Sequence, residues 1–334
     1  MPGMDDAALT RAIFARSWQC LAHESQMPAP GDYVAETIAG LPVIAVRGAD
    51  GVIRAFRNAC RHRLSPFTAD GTGSCGAELA CPYHGWRYAL DGRLKSATGF
   101  GPAENFDARA LSLVPLPLKL WRGFLFVALS NEAGDFDAWI APVTTRLKET
   151  PLEGWRFAAR RQHDVACRWT LYVENYLEGY HVPVLHKALD AEIDSAAYRV
   201  TIEDRIAIHH APLRPERRDD AVYEGLWAWA WPNLGINVYQ TGMMMERIWP
   251  MPDGTTRLDY LYVFADPNAD HSATFAMSDV VTAEDKMICE AVDRNLAAGD
   301  IAQGPLSPAH ENAVSYFRSL VAEAALEAAA MTGR

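Results

Sequence analysis

Apolar residues change their spacing several times along this 334-residue chain. Residues 6–22 carry them at helical intervals, including Leu9, Ile13 and Trp18, and predict an N-terminal helix. From about Tyr33 to Phe126 the pattern becomes one of short strands broken by turns. Val43-Ile44-Ala45-Val46, the turn Ala49-Asp50-Gly51, Val52-Ile53-Arg54-Ala55-Phe56, and Tyr88-Ala89-Leu90 before Asp91-Gly92 are examples. Asp-Gly between strand-like runs signals a hairpin, because glycine supplies the positive φ of the tight turn. Around Ala141–Pro151 the chain turns polar and carries prolines, which predicts a domain junction. Residues 170–181 then read as a helix, and residues 198–265 as several strands with Trp-Pro-Asn and Pro-Asp-Gly turns. Residues 280–298 and 308–330 read as helices, the last opened by Ser307 as N-cap and Pro308 at the first helical position. Consecutive strands with helices at their ends predict an α+β arrangement. The expected division is a β-rich domain over 1–140, with its core at about 32–127, and a second domain over 141–334.

Composition places the chain among ordinary globular proteins: 49% of residues are hydrophobic and 22% charged. No apolar run approaches the length of a membrane-spanning helix. The start, Met1-Pro2-Gly3-Met4-Asp5-Asp6, lacks the basic and apolar segments of a signal peptide. A cytoplasmic location is expected. A net charge of −11 argues against nucleic acid as a partner, since that needs a basic footprint. The basic run Arg214-Pro215-Glu216-Arg217-Arg218 is interrupted by an acid and followed by two aspartates, and reads as a solvated loop. Of six cysteines, Cys20, Cys167 and Cys289 read as buried small residues. Cys75 has no histidine two or three positions on and is left out of any ligand set.

Two cysteines remain, each paired with a histidine: Cys60-Arg61-His62 and Cys81-Pro82-Tyr83-His84-Gly85-Trp86. Both pairs fall on loops of the β-rich region, where rigid strands can hold them. A zinc ion also accepts two sulfurs and two nitrogens, but zinc sites usually pair like ligands, as Cys-x-x-Cys and His-x3-His. One cysteine and one histidine per loop instead suits a two-iron cluster, with the sulfurs on one iron and the imidazoles on the other. Neutral imidazoles in place of thiolates raise such a cluster's potential to between about −150 and +300 mV, against about −400 mV for all-thiolate plant-type clusters. The pattern resembles the Rieske iron–sulfur family.

A second constellation lies at Glu174-Asn175-Tyr176-Leu177-Glu178-Gly179-Tyr180-His181-Val182-Pro183-Val184-Leu185-His186. Histidines five apart do not share a helix face, and Pro183 disfavours helical geometry at Val182. A helix broken between them could bring both imidazoles to one point. Together, the two motifs resemble the Rieske non-heme iron oxygenases, specifically the catalytic α subunits of the aromatic-ring-hydroxylating family, over nearly the whole chain. The resemblance implies an N-terminal Rieske domain holding a [2Fe-2S] cluster on Cys60, His62, Cys81 and His84. It implies a helix-grip, START-like catalytic domain with an antiparallel sheet, and mononuclear Fe(II) on two histidines and a carboxylate with positions left open. His181 and His186 match the histidines. Asp285, read as the start of a late helix, is the expected carboxylate, with Glu284 its nearest competitor and Asp293 more distant.

Glu178 stands where most of the family has aspartate. There the family's carboxylate carries electrons from a Rieske histidine of one protomer to an iron ligand of the next, which implies an oligomer, a homotrimer above all. Glutamate at this position resembles members acting on choline, carnitine and glycine betaine. The expected activity is hydroxylation of a small organic molecule with O2 and electrons from a separate NAD(P)H-dependent reductase or ferredoxin. It leans to monooxygenation or N-demethylation of a quaternary ammonium compound. Arene hydroxylation or dihydroxylation is the alternative, and an electron carrier or ligand-binding protein is the alternative of another class. The chain has no Gly-rich nucleotide fingerprint before a helix, and so is not expected to bind NAD or flavin itself. Trp227, Trp229 and Trp231 alternate on one strand face, followed by Asn233, Asn237, Tyr239 and Met243, Met244 and Met245. They read as a substrate wall, suited to a cation or an arene, with core packing expected for at least two of the tryptophans.

Overall fold

The computed structural model describes residues 7–102, 106–150 and 154–332. The chain divides into two compact units. Phe14–Gly134 forms one, and Asp135–Arg334 together with the segment up to Ile13 forms the other. The acidic start of the chain and Pro151 lie outside the described residues.

The expected N-terminal helix is shorter than its apolar spacing suggests. Ala7–Ala15 is helical, and Trp18–His23 is a fully buried strand. A continuous buried run is compatible with either state, and pairing with Phe124–Ala128 decides for strand. The first unit holds three antiparallel sheets. In the largest, Asp32–Ile38, Leu41–Arg47 and Ile53–Arg57 are central, flanked by Gly71–Ser74 and Pro115–Leu116. Glu78–Ala80, Arg87–Ala89 and Leu94–Ser96 form a second. Trp18–His23, Phe124–Ala128 and Leu118–Trp121 form the third. The core between the first two includes Ile44, Val46, Phe56, Leu79, Trp86 and Tyr88, and Cys60 and Cys81 are buried in it.

In the second unit, seven antiparallel strands run in the order Arg156–Val165, Thr256–Phe264, Gly242–Pro250, Leu234–Tyr239, Tyr223–Ala230, Ile206–His210, Arg199–Glu203. Helices Trp169–Tyr176, Ser272–Ala298 and Asn312–Thr332 accompany the sheet. Bidentate pairing of Arg318 with Glu174 ties two of them together, and Arg168 to Asp293 ties a second pair. On the sheet, Asp259 accepts from Arg160 and from the buried Arg247.

Three boundaries differ from the sequence reading. The proline-bearing stretch expected as a junction is mostly a helix, Phe136–Arg146, because Phe136, Ile140 and Val143 bury one face. The late helix starts at Ser272, so Asp285 lies in its middle rather than at its start. The last helix begins at Asn312, after a turn in which the Glu311 amide donates to the Ser307 carbonyl. Pro308 therefore sits in that turn and not at a helix start.

Candidate active site

In the first unit the two Cys/His loops converge. The imidazole rings of His62 and His84 lie 4.6 Å apart between centroids, and Trp86 stacks flat on His62 at 4.9 Å. The loops are closed by their own backbones. Leu64 and Gly85 donate to the carbonyls of Cys60 and Cys81, and the Cys81 amide donates to Trp86. Gly85 takes φ +70° in this turn, a conformation that glycine adopts without strain. Tyr88 lies 3.4 Å from Cys60 Sγ through its hydroxyl, which accepts from the Arg61 amide. Burial pushes the Cys60 thiol up. Against its own burial, Cys81 is held below the usual thiol range by the amides of Tyr83 and His84 and by Cys60. His62 Nδ1 is buried and lacks a hydrogen-bond partner. A buried ring nitrogen in that state is expected of a metal ligand and costly otherwise. Two buried sulfurs and two adjoining imidazoles therefore fit a cluster of mixed ligation.

In the second unit the helix expected over 170–181 ends at Tyr176, before both histidines. Glu178 redirects the chain: its Oε2 accepts from the amides of Tyr180 and His181. Gly179 is required by close approach, since a Cβ there would stand 2.3 Å from the Tyr198 ring. A single helical turn, Val182–Leu185, separates the histidines, and His186 leaves it at φ −100°, ψ 70°. The two Nε2 atoms then face each other at 3.1 Å. Asp285 comes up from the middle of its helix, placing Oδ1 3.0 Å from His186 Nε2 and 3.7 Å from His181 Nε2.

The opposite ring nitrogens identify what belongs between these atoms. His181 Nδ1 lies 2.5 Å from Glu178 Oε1, and His186 Nδ1 2.7 Å from Glu284 Oε2. Carboxylates only accept, so each Nδ1 carries the proton and each Nε2 presents a lone pair. Asn175 Nδ2 donates to Asp285 Oδ1 at 2.7 Å, aiming the third donor. Two imidazole lone pairs and a carboxylate oxygen pointing at one place, each oriented from behind, fit a divalent metal with a two-histidine, one-carboxylate ligand set. Of the competitors, Glu284 orients His186 and Asp293 pairs with Arg168.

These donors line a cavity of about 590 Å³, counted out to its open mouth. Tyr172, Tyr176, Tyr198, Tyr223, Trp227 and Tyr260 supply aromatic wall. Asn237 and Met244 also line it. Trp229 and Trp231 do not; they pack on Phe317 of the last helix. Tyr239 does not either, and packs on Tyr223 and Tyr262. A feature absent from the sequence reading is Glu246. It is buried on the sheet, lines the cavity, and lies 3.3 Å from both Asn237 Nδ2 and the Tyr260 hydroxyl. Burial and the charge of Asp285 push its carboxyl up to about 8. Period-two alternation with Met244 was the one available signal.

The family model for the Rieske [2Fe-2S] domain matches residues 17–107, and that for the ring hydroxylating alpha subunit catalytic domain matches residues 152–327. The carnitine monooxygenase oxygenase subunit of Acinetobacter baumannii is 28% identical, over 93% of this chain and 89% of that protein. The chloroplastic choline monooxygenase of Beta vulgaris is 29% identical, over 91% of this chain and 71% of that protein. Among solved structures, a quaternary ammonium Rieske monooxygenase, described in relation to carnitine oxidation by gut microbiota and inter-subunit electron transfer, superposes with TM-score 0.85. Its identity is 28%, over 95% of this chain and 91% of that one. Naphthalene 1,2-dioxygenase from a Rhodococcus species, bound to indole, shares the fold at TM-score 0.73 and 17% identity. The matched domains imply a Rieske [2Fe-2S] cluster and a mononuclear iron.

Proposed function

The chain belongs to the ring hydroxylating alpha subunit family of Rieske oxygenases, and from that premise we propose that it hydroxylates a quaternary ammonium compound. The observation that carries this reading is the aromatic cavity ending at His181, His186 and Asp285. A quaternary ammonium group has no hydrogen to donate, so ring faces are its natural contacts. The relatives named for carnitine and choline support the same class. Hydroxylation at an N-methyl carbon gives a product that loses formaldehyde, and monooxygenation is the preferred outcome.

Cys60, His62, Cys81 and His84 hold the cluster in this reading, and His181, His186 and Asp285 the iron. When bound, the cluster supplies single electrons and the iron supplies O2 activation. The chain's own groups do the positioning. Glu284 and Asn175 aim His186 and Asp285 from behind. The wall of Tyr172, Tyr176, Trp227 and Tyr260 excludes water and sets the substrate's pose. Glu178 holds the Nδ1 proton of His181. In the assembled enzyme Glu178 links that histidine to His62 or His84 of a neighbouring protomer, so the working form is a homotrimer. Electrons come from a separate NAD(P)H-dependent reductase or ferredoxin in the cytoplasm. Among the described residues, no helix is long and apolar enough to cross a membrane.

The test is turnover with a generic reductase, NADH and air, with choline, carnitine and simple arenes in parallel. Formaldehyde or hydroxylated product from an ammonium compound supports the reading, and product from arenes alone overturns it. Mixing a Cys81→Ser protomer with a His181→Ala protomer tests the bridge. Activity regained on mixing supports transfer between protomers.

A further inference from the structure

We propose that Glu246 is the counter-ion for the substrate's ammonium group and that the cavity selects ammonium compounds without a carboxylate. This rests on the ammonium reading above and narrows it. Glu246 projects from strand Gly242–Pro250 into the same cavity as His181, His186 and Asp285, and is 4% exposed. Its hydrogen-bonding neighbours are all neutral: Tyr172, and Asn237 and Tyr260 at 3.3 Å, long for hydrogen bonds to a carboxylate. Among the described residues that line the cavity there is no lysine or arginine. A buried carboxylate in that setting is poorly compensated until a cation arrives. The same cavity is lined by Tyr172, Tyr176, Trp227 and Tyr260, and aromatic ring faces attract a cation that cannot hydrogen-bond.

The other acids of the cavity are already engaged. Glu178 is turned to His181, and Asp285 to the two histidines and Asn175. Glu246 is the acid left to face a ligand. A zwitterionic substrate would bring a fourth carboxylate into a wall holding Glu178, Glu246 and Asp285, with no basic side chain to receive it. Like charges in a desolvated site repel strongly, and such repulsion is an effective means of specificity. The pocket therefore fits a monocation such as choline or a simple alkyl trimethylammonium better than carnitine.

The experiment is calorimetric binding to the anaerobic holoenzyme with three probes: choline, its neutral carbon isostere 3,3-dimethylbutan-1-ol, and L-carnitine. Choline is expected to bind at least about tenfold more tightly than either of the others, the scale of a buried charge pair with cation–π support. Glu246→Gln keeps the shape and is expected to lower choline affinity about tenfold or more while leaving the neutral alcohol nearly unchanged. Cluster absorbance and iron content report that both metal sites are intact. Choline binding equal in wild type and variant overturns the role of Glu246, and leaves the ammonium reading standing. Carnitine binding as tightly as choline overturns the exclusion of carboxylates. No binding of either cation defeats the ammonium reading itself. Should the variant not fold, the wild-type preference decides: equal affinity for choline and its neutral isostere overturns the proposal.

Discussion

Glu284→Ala removes the carboxylate that stands behind His186 and leaves every proposed ligand in place. In the native protein Glu284 Oε2 is 2.7 Å from His186 Nδ1, and the imidazole is 2% exposed. The carboxylate fixes the tautomer, so that Nε2 offers its lone pair, and it makes the ring a stronger base. Without it, either nitrogen can carry the proton, and in one of the two tautomers Nε2 is blocked. Loss of an oriented partner of this kind costs about 10- to 100-fold in metal affinity, or roughly 1.4–2.7 kcal/mol. Glu284 is partly exposed, with 30% of its side chain open to solvent. Water can substitute in part, which places the expected loss nearer tenfold. Glu284→Gln, whose amide oxygen still accepts, should retain most of the affinity. The assay is anaerobic Fe(II) binding against a competing chelator, with the cluster's visible spectrum as internal control. Unchanged iron affinity in Glu284→Ala would refute the reasoning, because packing alone would then hold His186.

Further outcomes follow from the same geometry. Asp259→Asn leaves the Arg160 and Arg247 guanidinium groups facing a neutral amide, and should destabilise the fold by about 3 kcal/mol in chemical denaturation. Burial alone would raise the Asp259 carboxyl, but Arg247 and Arg160 hold it below the usual carboxylate range. Its contribution is therefore complete above the unfolded value near 3.9 and is lost as pH falls from there through the lowered folded value, so wild type and variant should approach each other below about pH 4 and converge once Asp259 is protonated in the folded protein. Gly235→Ala places a Cβ 2.9 Å from the Tyr176 ring and 3.1 Å from the Glu246 Cβ. It should cost about 1–3 kcal/mol in thermal unfolding and weaken ligand binding with little effect on the cluster spectrum. In iron-free protein, Glu246 carries a carboxyl pushed up to about 8, so wild type should lose stability relative to Glu246→Gln as pH rises from about 4.5 to 8.

Both Cys/His loops stand out in the sequence because the residues of each pair are close together in it. Cys60-x-His62 and Cys81-x-x-His84 are local patterns, and each closes through its own backbone hydrogen bonds. The two-histidine motif was legible for the same reason, although the helix preceding it ends at Tyr176, where Glu178 and Gly179 take over the backbone. Asp285 could be chosen only through resemblance. It lies 99 positions from His186, and the helix that delivers it begins eight residues earlier than the sequence suggested. The substrate wall was the least legible part. Alternation put Trp227, Trp229 and Trp231 on one face, but the strand ends at Ala230, and which tryptophan meets the cavity depends on where the last helix lies. Glu246 was missed because a single acid in a strand of methionines and aromatics looks like any polar position. Its burial is a property of the sheet's covering helices, which no local pattern reports.

The most direct measurement is a single turnover without a reductase. The holoenzyme's cluster is reduced chemically, the reductant is removed, and air is admitted with choline and naphthalene present together. Oxidised choline is expected in proportion to iron content, with no naphthalene product, and with loss of product but retention of the cluster spectrum in His181→Ala. Naphthalene oxidation without choline oxidation, or undiminished product from His181→Ala, would contradict it.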